Sequence, residues 1–235
     1  DYYLDVARIF CDLAACDCVE LCICEGLRYF LCCEFVRSPR RLVNTRILAA
    51  RKIENDCLVP DMPEDPLLQM VLEEVTGKGS GTMVPRMTSK GVFWTNDAGR
   101  LMTLPAKRRD PAKKARYRFK EGYGSLVVAP VAANGECIGS MILRSRKRGF
   151  FNSRKIGSIE NAVSSLQIAL AYYMTRDGLR ERVKELTCLY TIARYADQRG
   201  RSLGDVMERI VESLPPAWQF PDVAAARITL NNHVY

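Results

Sequence analysis

Six cysteines fall within "CDCVELCICEGLRYFLCC", residues 16–33, and seven of the ten in the chain precede residue 34. Thiols this dense offer disulfide exchange, ligation of a soft metal or iron–sulfur cluster, or no chemistry at all, since a free Cys packs as a small hydrophobe. The stretch reads as a β-hairpin, because β-formers dominate both arms and Glu25-Gly26 supplies a tight turn. Side chains alternate along a strand. Cys18, Glu20, Cys22 and Cys24 therefore share one face, and Val19, Leu21 and Ile23 the other. On the second arm Phe30, Cys32 and Glu34 oppose Leu31, Cys33 and Phe35. The Val19 face is an ordinary core face; three cysteines on the other is the unusual feature. Cys22 and Cys24 are awkwardly placed to bond each other, whereas a cross-strand pair with Cys32 or Cys33 is easier. A cluster needs about four converging thiolates, which Cys18, Cys22, Cys24 and Cys32 or Cys33 could supply, although the spacing is not the C-x-x-C of a zinc site. The candidate site is thus Cys18, Cys22, Cys24, Cys32 and Cys33, with the metal unknown. Core thiols, a redox pair and an iron–sulfur cluster or other thiolate-bound metal all stay open. Arg28 is the basic group expected to favour a thiolate. Nothing pairs Glu20 or Glu34 with a nucleophile, so a carboxylate active site is set aside.

Composition narrows the classes further. The only histidine is His233, which removes His-based catalysis, His-ligated haem and His-containing zinc sites from the body of the chain. The net charge of +8 sits mostly in two runs, "AKRRDPAKKARYRFK" (106–120) and "RSRKRGFFNSRK" (144–155). Neither has a recognition motif beside it, so they read as solvated loops and no nucleic-acid partner is expected. No secretion signal or membrane-length apolar run is present, which points to reduced thiols in the cytoplasm. A chain opening at Asp1 rather than Met reads as a fragment of a longer protein.

These residues must be positioned by an α/β framework. Tyr3, Val6, Phe10 and Leu13 recur at helical spacing, and a third strand is expected near Leu42 to Ala50. "EDPLLQMVLEEVTGKGSG" reads as a helix with Asp65 as N-cap, Pro66 at its first position and Gly77 at its end. "GTMVPRM" and "GVFWTND" read as short strands, and residues 105–124 as a mobile basic segment with no packed apolar stripe. Strands near 125–131 and 136–144 flank Asn134-Gly135, a strong hairpin signal, and Pro130 ends or bulges the first of them. A helix capped by Asn152 or Ser153 then runs on for about 40 residues, several times the usual length. Within it Leu179, Val183, Leu186 and Tyr190 recur in steps of four, three and four, a coiled-coil seam that predicts a homodimer through residues 156–195. Gly200 breaks this helix. Ser202 caps another, with Leu203, Val206, Met207, Ile210 and Leu214 on one face, and "VAAARITL" reads as a strand. The divisions are 1–174, a first domain; 175–200, a coiled-coil helix; and 201–235, the start of a second, truncated copy of the first module.

The module resembles a GAF domain, the ligand-sensing α/β fold of bacterial sensor kinases and related regulators. The resemblance is best over residues 122–174. There "GSLVVAPVAANGECIGSMIL", with Ser125, Pro130, Gly135 and Gly139, looks like the late hairpin of the family, and "FFNSRKIGSIENAVSSLQIALAY" like its closing helix. "DPLLQMVLEEVTGKG" is similar to the helix before the pocket strand. The resemblance implies an antiparallel sheet flanked by helices, with a long C-terminal signalling helix; it makes residues 1–174 the GAF-like sensory domain and sets the Cys18, Cys22 and Cys24 face against its sensing cavity. Residues 179–214 look like the linker and first helix of a following GAF domain in a sensor histidine kinase. The Asn-Lys-Phe-Asp-Glu signature of cyclic-nucleotide GAF domains and the Cys-His pair of bilin-binding ones are both absent, which disfavours those ligands. No phosphoacceptor His or nucleotide-binding Gly-box is present, so no catalysis is expected of this stretch. The functional expectation is a sensory input of a cytoplasmic histidine kinase, detecting a small ligand or redox state. The rivals are the sensor of a transcription regulator and a ligand-free dimerisation module.

Overall fold

The computed structural model describes residues 2–25, 28–37, 42–53, 58–62, 65–77, 87–100, 102–107, 110–119, 122–198, 200–218 and 221–235. The turn residue Gly26 and most of "GTMVPRM" lie outside the described residues. The chain forms two compact units, Asp1–Leu170 and Ala171–Tyr235.

The first unit opens with α1 (Tyr2–Ala14), then β1 (Cys18–Glu25), β2 (Tyr29–Val36), β3 (Leu42–Lys52), β4 (Leu58–Pro60) and α2 (Pro66–Thr76). It continues through β5 (Phe93–Thr95), β6 (Met102–Lys107), β7 (Asp110–Tyr117), β8 (Ser125–Ala133), β9 (Glu136–Ser145) and the first part of α3 (Ser153–Ala196). Seven strands form one sheet in the order β4-β3-β2-β1-β9-β8-β5, with every neighbouring pair antiparallel. This is the expected α/β architecture of an antiparallel sheet flanked by helices. The Cys-rich hairpin is β1–β2, in the middle of the sheet.

Local chemistry accounts for the joints. Asn134 and Gly135 both take positive φ, 52° and 82°, the twist that a two-residue hairpin between β8 and β9 requires. The β8–β9 register slips between Val131 and Ala132, one residue beyond Pro130, which has no N–H to give the ladder. Asp65 caps α2 by accepting from the Leu68 N–H at 3.0 Å, and Asn152 caps α3 by accepting from the Lys155 N–H at 2.9 Å. At Gly139 a Cβ would lie 2.1 Å from the Cys22 carbonyl oxygen, so only glycine lets β9 close onto β1 there.

Both faces of the sheet are covered. On one face Cys22, Phe30, Cys32, Phe93, Leu126, Val128 and Ile142 pack in a single cluster with Leu67, Leu68, Val71, Leu72 and Val75 of α2. Burying each of the larger side chains contributes about 1.5–3 kcal/mol. Val19, Leu21, Cys33, Val127, Met141 and Leu143 point to the other face and are equally buried. The buried stripes of α1 (Val6, Phe10) and early α3 (Ile156, Ile159, Val163, Leu166, Leu170) supply apolar surface for that second layer.

The segment expected as a mobile loop is instead partly a two-stranded antiparallel sheet, β6 with β7, registered from Met102 opposite Tyr117 to Lys107 opposite Asp110. Backbone pairing needs no apolar stripe, and the lack of such a stripe was the ground for expecting a loop. Beyond β7, Phe119 is buried beside Phe93, with ring centroids 6.2 Å apart.

In the second unit α3 runs on to Ala196, completing 44 residues without a break at Gly178. Gly200, at φ 86°, allows the turn after it. α4 (Leu203–Ser213) begins where the Ser202 hydroxyl accepts from the Asp205 N–H at 3.1 Å. The strand expected over "VAAARITL" shrinks to β10 (Thr229–Leu230), paired with β11 (His233–Val234). Asn231 and Asn232, both at positive φ, fold the chain back into β11 directly after Leu230. Among the described residues no helix is long and apolar enough to cross a membrane.

Candidate functional site

Strand register assembles the site. Cys22 of β1 stands opposite Cys32 of β2 and Ser140 of β9, and Cys32 stands opposite Arg46 of β3. One row on, Glu20 faces Glu34 and Ile142. The next row sets Cys18 against Arg144. Directly opposed residues share a face of the sheet, so all of these side chains emerge on the α2 side.

Cys22 and Cys32 are joined by a disulfide, their Cα atoms 4.0 Å apart. Next to them Glu20 is fully buried and held by two arginines, Arg144 from the adjacent β9 and Arg46 from β3, which reaches across β2. Arg144 Nη2 donates to Glu20 Oε2 at 2.8 Å; Arg46 Nε donates to Oε1 at 3.1 Å, and its Nη2 contacts the same oxygen. Arg144 is itself buried, whereas Arg46 is about half exposed. Burial pushes the Glu20 carboxyl up, the largest single influence, but Arg144 and then Arg46 together outweigh it and hold the carboxyl below its usual range. Cys22 Sγ lies 3.7 Å from Glu20 Oε1, so reduction of the disulfide would give its thiol an acceptor. Cys18 Sγ donates to Glu34 Oε1 at 3.3 Å and accepts from Arg144 Nη1 at 3.9 Å. Burial, only partly countered by Arg144, pushes the Cys18 thiol up to about 12, so it stays protonated at neutral pH. Burial also pushes the Tyr123 phenol up, with the neighbouring Cys18 adding to it.

Of the five expected site cysteines, the structure brings two together. Cys18 is four residues from Cys22 on the same strand face. Cys24, half buried, faces Phe30, and Cys33 stands opposite Leu21 on the far face. A four-thiolate set is not formed by these residues, because alternate positions on one strand advance by about 6.6 Å and Cys33 points away. The donor set whose ligand atoms lie within 4.8 Å of one another is Glu20, Cys22 and Cys32, with one carboxylate and two guanidinium groups beside two sulfurs. That does not fit an iron–sulfur cluster. Two further expectations need correction. The Cys-bearing face does not border an open cavity at Cys22 and Cys32, since both are buried in the α2 cluster. Arg28 is exposed, and Arg46 and Arg144 are the cations in the cluster.

Arg46 and Arg144 are the residues that sequence reasoning passed over, and Glu20 was weighed there only as a carboxylate without a nucleophile. Their signal was present as single charges inside otherwise apolar strands, "CVELCIC", "NTRIL" and "MILRS". Such a charge is kept only when a partner lies across the sheet.

No family model matches the chain, and no curated protein matches it. Among solved structures it is similar to the bacteriophytochrome RpBphP3 of the photosynthetic bacterium R. palustris, at TM-score 0.50 and 10% identity over 89% of this chain. The chain spans 41% of the length of that protein. It is also similar, at TM-score 0.43 and 13% identity, to the GAF domain of PixJ from Thermosynechococcus elongatus, over 75% of this chain and 87% of that one. A domain of a putative two-component sensor histidine kinase from Sinorhizobium meliloti 1021 matches at TM-score 0.40 and 13% identity, over 76% of this chain and 95% of that one. At these identities the likeness is one of fold.

Proposed function

We propose, for a chain whose fold is GAF-like, a sensory input module that reads redox state through Cys22 and Cys32 and passes it along α3 to a further module within a dimer. The observation that carries this reading is the Cys22–Cys32 disulfide set beside the buried Glu20–Arg144–Arg46 cluster. Glu20 ties β1 to β3 and β9, so opening or closing the β1–β2 cross-link acts on the strands those ion pairs hold together. Cys11, Cys16, Cys18 and Cys188 carry free thiols, unlike a secreted scaffold, in which thiols are stapled throughout. One bonded pair among many free thiols suits a redox-responsive bond in a reducing compartment, and we assign the module to the cytoplasm on that ground.

Support for the dimer comes from the second half of α3. Leu179, Val183, Leu186 and Tyr190 are all exposed at coiled-coil spacing. A helix this long with an uncovered apolar seam needs a helical partner, and a second copy is the simplest. We assign residues 201–235 to the opening of a following module, and the output to a histidine kinase, on the resemblance of residues 179–214 to such a linker.

Two measurements test the reading. The full chain is equilibrated across a series of reduced and oxidised dithiothreitol ratios, and the alkylated fraction of Cys22 and Cys32 is mapped by mass. A single cooperative transition of the two thiols together is expected. A pair that stays bonded, or stays free, across the whole series overturns the redox reading. For the dimer, Leu179→Glu with Leu186→Glu should sediment as a monomer while the parent chain sediments as a dimer; dimers in both would overturn the α3 interface.

A further inference from the structure

We infer that Cys11 and Cys16 form a second thiol pair, built by the C-terminal cap of α1, which a hydroperoxide closes to a disulfide. The inference goes beyond the Cys22–Cys32 reading and does not depend on it.

The last turn of α1 ends with the Cys16 N–H donating to the Cys11 carbonyl at 3.2 Å and the Ala15 N–H donating to the Asp12 carbonyl at 3.1 Å, with Ala15 at φ 51°. These are the two hydrogen bonds and the left-handed residue of a Schellman cap, which turns the chain so that its sixth residue packs on its first. In most such caps those two positions make an apolar contact; here both are cysteines. Cys11 Sγ lies 3.2 Å from the Cys16 carbonyl oxygen, and Cys16 Sγ lies 3.5 Å from the Cys18 carbonyl oxygen. Arg37 Nη2 stands against the same turn, donating to the Cys11 carbonyl at 2.8 Å and to Asp12 Oδ1 at 2.7 Å. A guanidinium and a neighbouring thiol donor are what a thiolate needs. The Cys16 contact first, and Arg37 after it, outweigh burial and bring the Cys11 thiol down to about 7; the same contact, followed by burial, pushes Cys16 up. Arg37, held at the Cys11 end of the turn, marks Cys11 as the nucleophile and Cys16 as its protonated partner. Cys18 and Cys24, whose thiols burial pushes up, have no such division.

Both sulfurs are buried, but Asp12, Leu13 and Ala15 around them are exposed. A helix terminus opens locally at low cost, which admits a small oxidant. The Cys11 thiolate attacks one peroxide oxygen, the O–O bond breaks, and the other oxygen leaves and takes a proton as water or an alcohol. Cys11 is left as a sulfenic acid. The Cys16 sulfur then attacks the Cys11 sulfur, and the hydroxyl departs with the Cys16 proton as water. Two thiols and one hydroperoxide become one disulfide, one alcohol or water, and one water. A small dithiol reverses it.

The test uses the reduced full chain and hydrogen peroxide in small excess, with cleavage before Asp12 and Asp17 so that Cys11 and Cys16 fall on different peptides. A Cys11–Cys16 cross-link should appear before any oxidation of Cys18, Cys24 or Cys33 and vanish with dithiothreitol. Arg37→Gln should slow it roughly tenfold at neutral pH. In Cys16→Ser, Cys11 should stop at a sulfenic acid that dimedone traps, and the Cys22→Ser, Cys32→Ser double variant should still form the Cys11–Cys16 bond. If the parent chain leaves both thiols alkylatable after other cysteines have reacted, or takes Cys11 to sulfinic acid with Cys16 still free, the inference is overturned. The parent-chain result decides this even where a variant fails to fold.

Discussion

The two thiol pairs are assembled by different physics. Cys22 and Cys32 meet because strand register sets them opposite each other in mid-sheet, ten residues apart in sequence. Cys11 and Cys16 meet because a helix ends between them. The sheet pair lies beside an ion cluster drawn from three strands, β1, β3 and β9; the cap pair has one arginine and its own backbone turn. A thiol pair built into a sheet therefore draws its environment from distant chain segments, while one built into a cap carries most of its environment with it.

Breaking the ion cluster should separate the two most sharply. Glu20→Ala removes one partner of the buried ion pair with Arg144 and should cost about 3–5 kcal/mol of unfolding free energy. Denaturant unfolding measures it, and a loss below about 1 kcal/mol, the worth of a surface pair, would show that the cluster is not holding the sheet. The same cluster sets a pH signature. The folded carboxyl of Glu20 lies below its unfolded value, so its contribution is complete above the unfolded range near pH 4–5 and falls away as pH drops through the lowered folded value. Glu20→Gln should flatten that acid limb relative to the parent chain.

Removing the sheet cross-link comes next. Cys22→Ala with Cys32→Ala should lower stability by about 2–3 kcal/mol against the oxidised parent, the chain-entropy value for so short a loop, while leaving the Cys11–Cys16 oxidation intact. A smaller effect belongs to the cap. Ala15→Gly removes a left-handed alanine and should raise stability by roughly 0.5–1 kcal/mol, seen as a shift in denaturant midpoint with an unchanged slope; a loss instead would contradict the cap geometry. Smallest in energy is the reactivity contrast. Among Cys11, its neighbours Cys16 and Cys18, and the partly exposed Cys24, only Cys11 should react with iodoacetamide at a rate that reaches half its maximum near pH 7. Equal rates for Cys11 and Cys18 at that pH would erase the distinction between the pairs.

Much of the framework was legible from local rules. Asp65, Asn152 and Ser202 cap the helices expected of them, and Asn134-Gly135 turns the hairpin, because caps and turns are made by residues within four positions of each other. Strand alternation put Cys22 and Cys32 on faces that could meet. The Schellman cap is also local, yet it went unseen, since Ala15 stands where Gly is the usual marker. The β6–β7 pairing was missed because its ladder is made of backbone groups, which leave no apolar pattern.

From its own residues, then, the chain determined its helices, the β1–β2 and β8–β9 hairpins, the length of α3 and the alternation of cysteines along β1, all of which depend on near neighbours. Tertiary structure alone decided that Cys32 rather than Cys33 bonds Cys22, that Arg46 and Arg144 rather than Arg28 supply the positive charge, and that the Cys-bearing face closes on α2. Each of those outcomes hangs on which strands adjoin β1 and in what register. Placing β9 beside β1 joins residues more than 120 positions apart, Arg144 with Glu20 among them, and no periodicity within either segment encodes that partner.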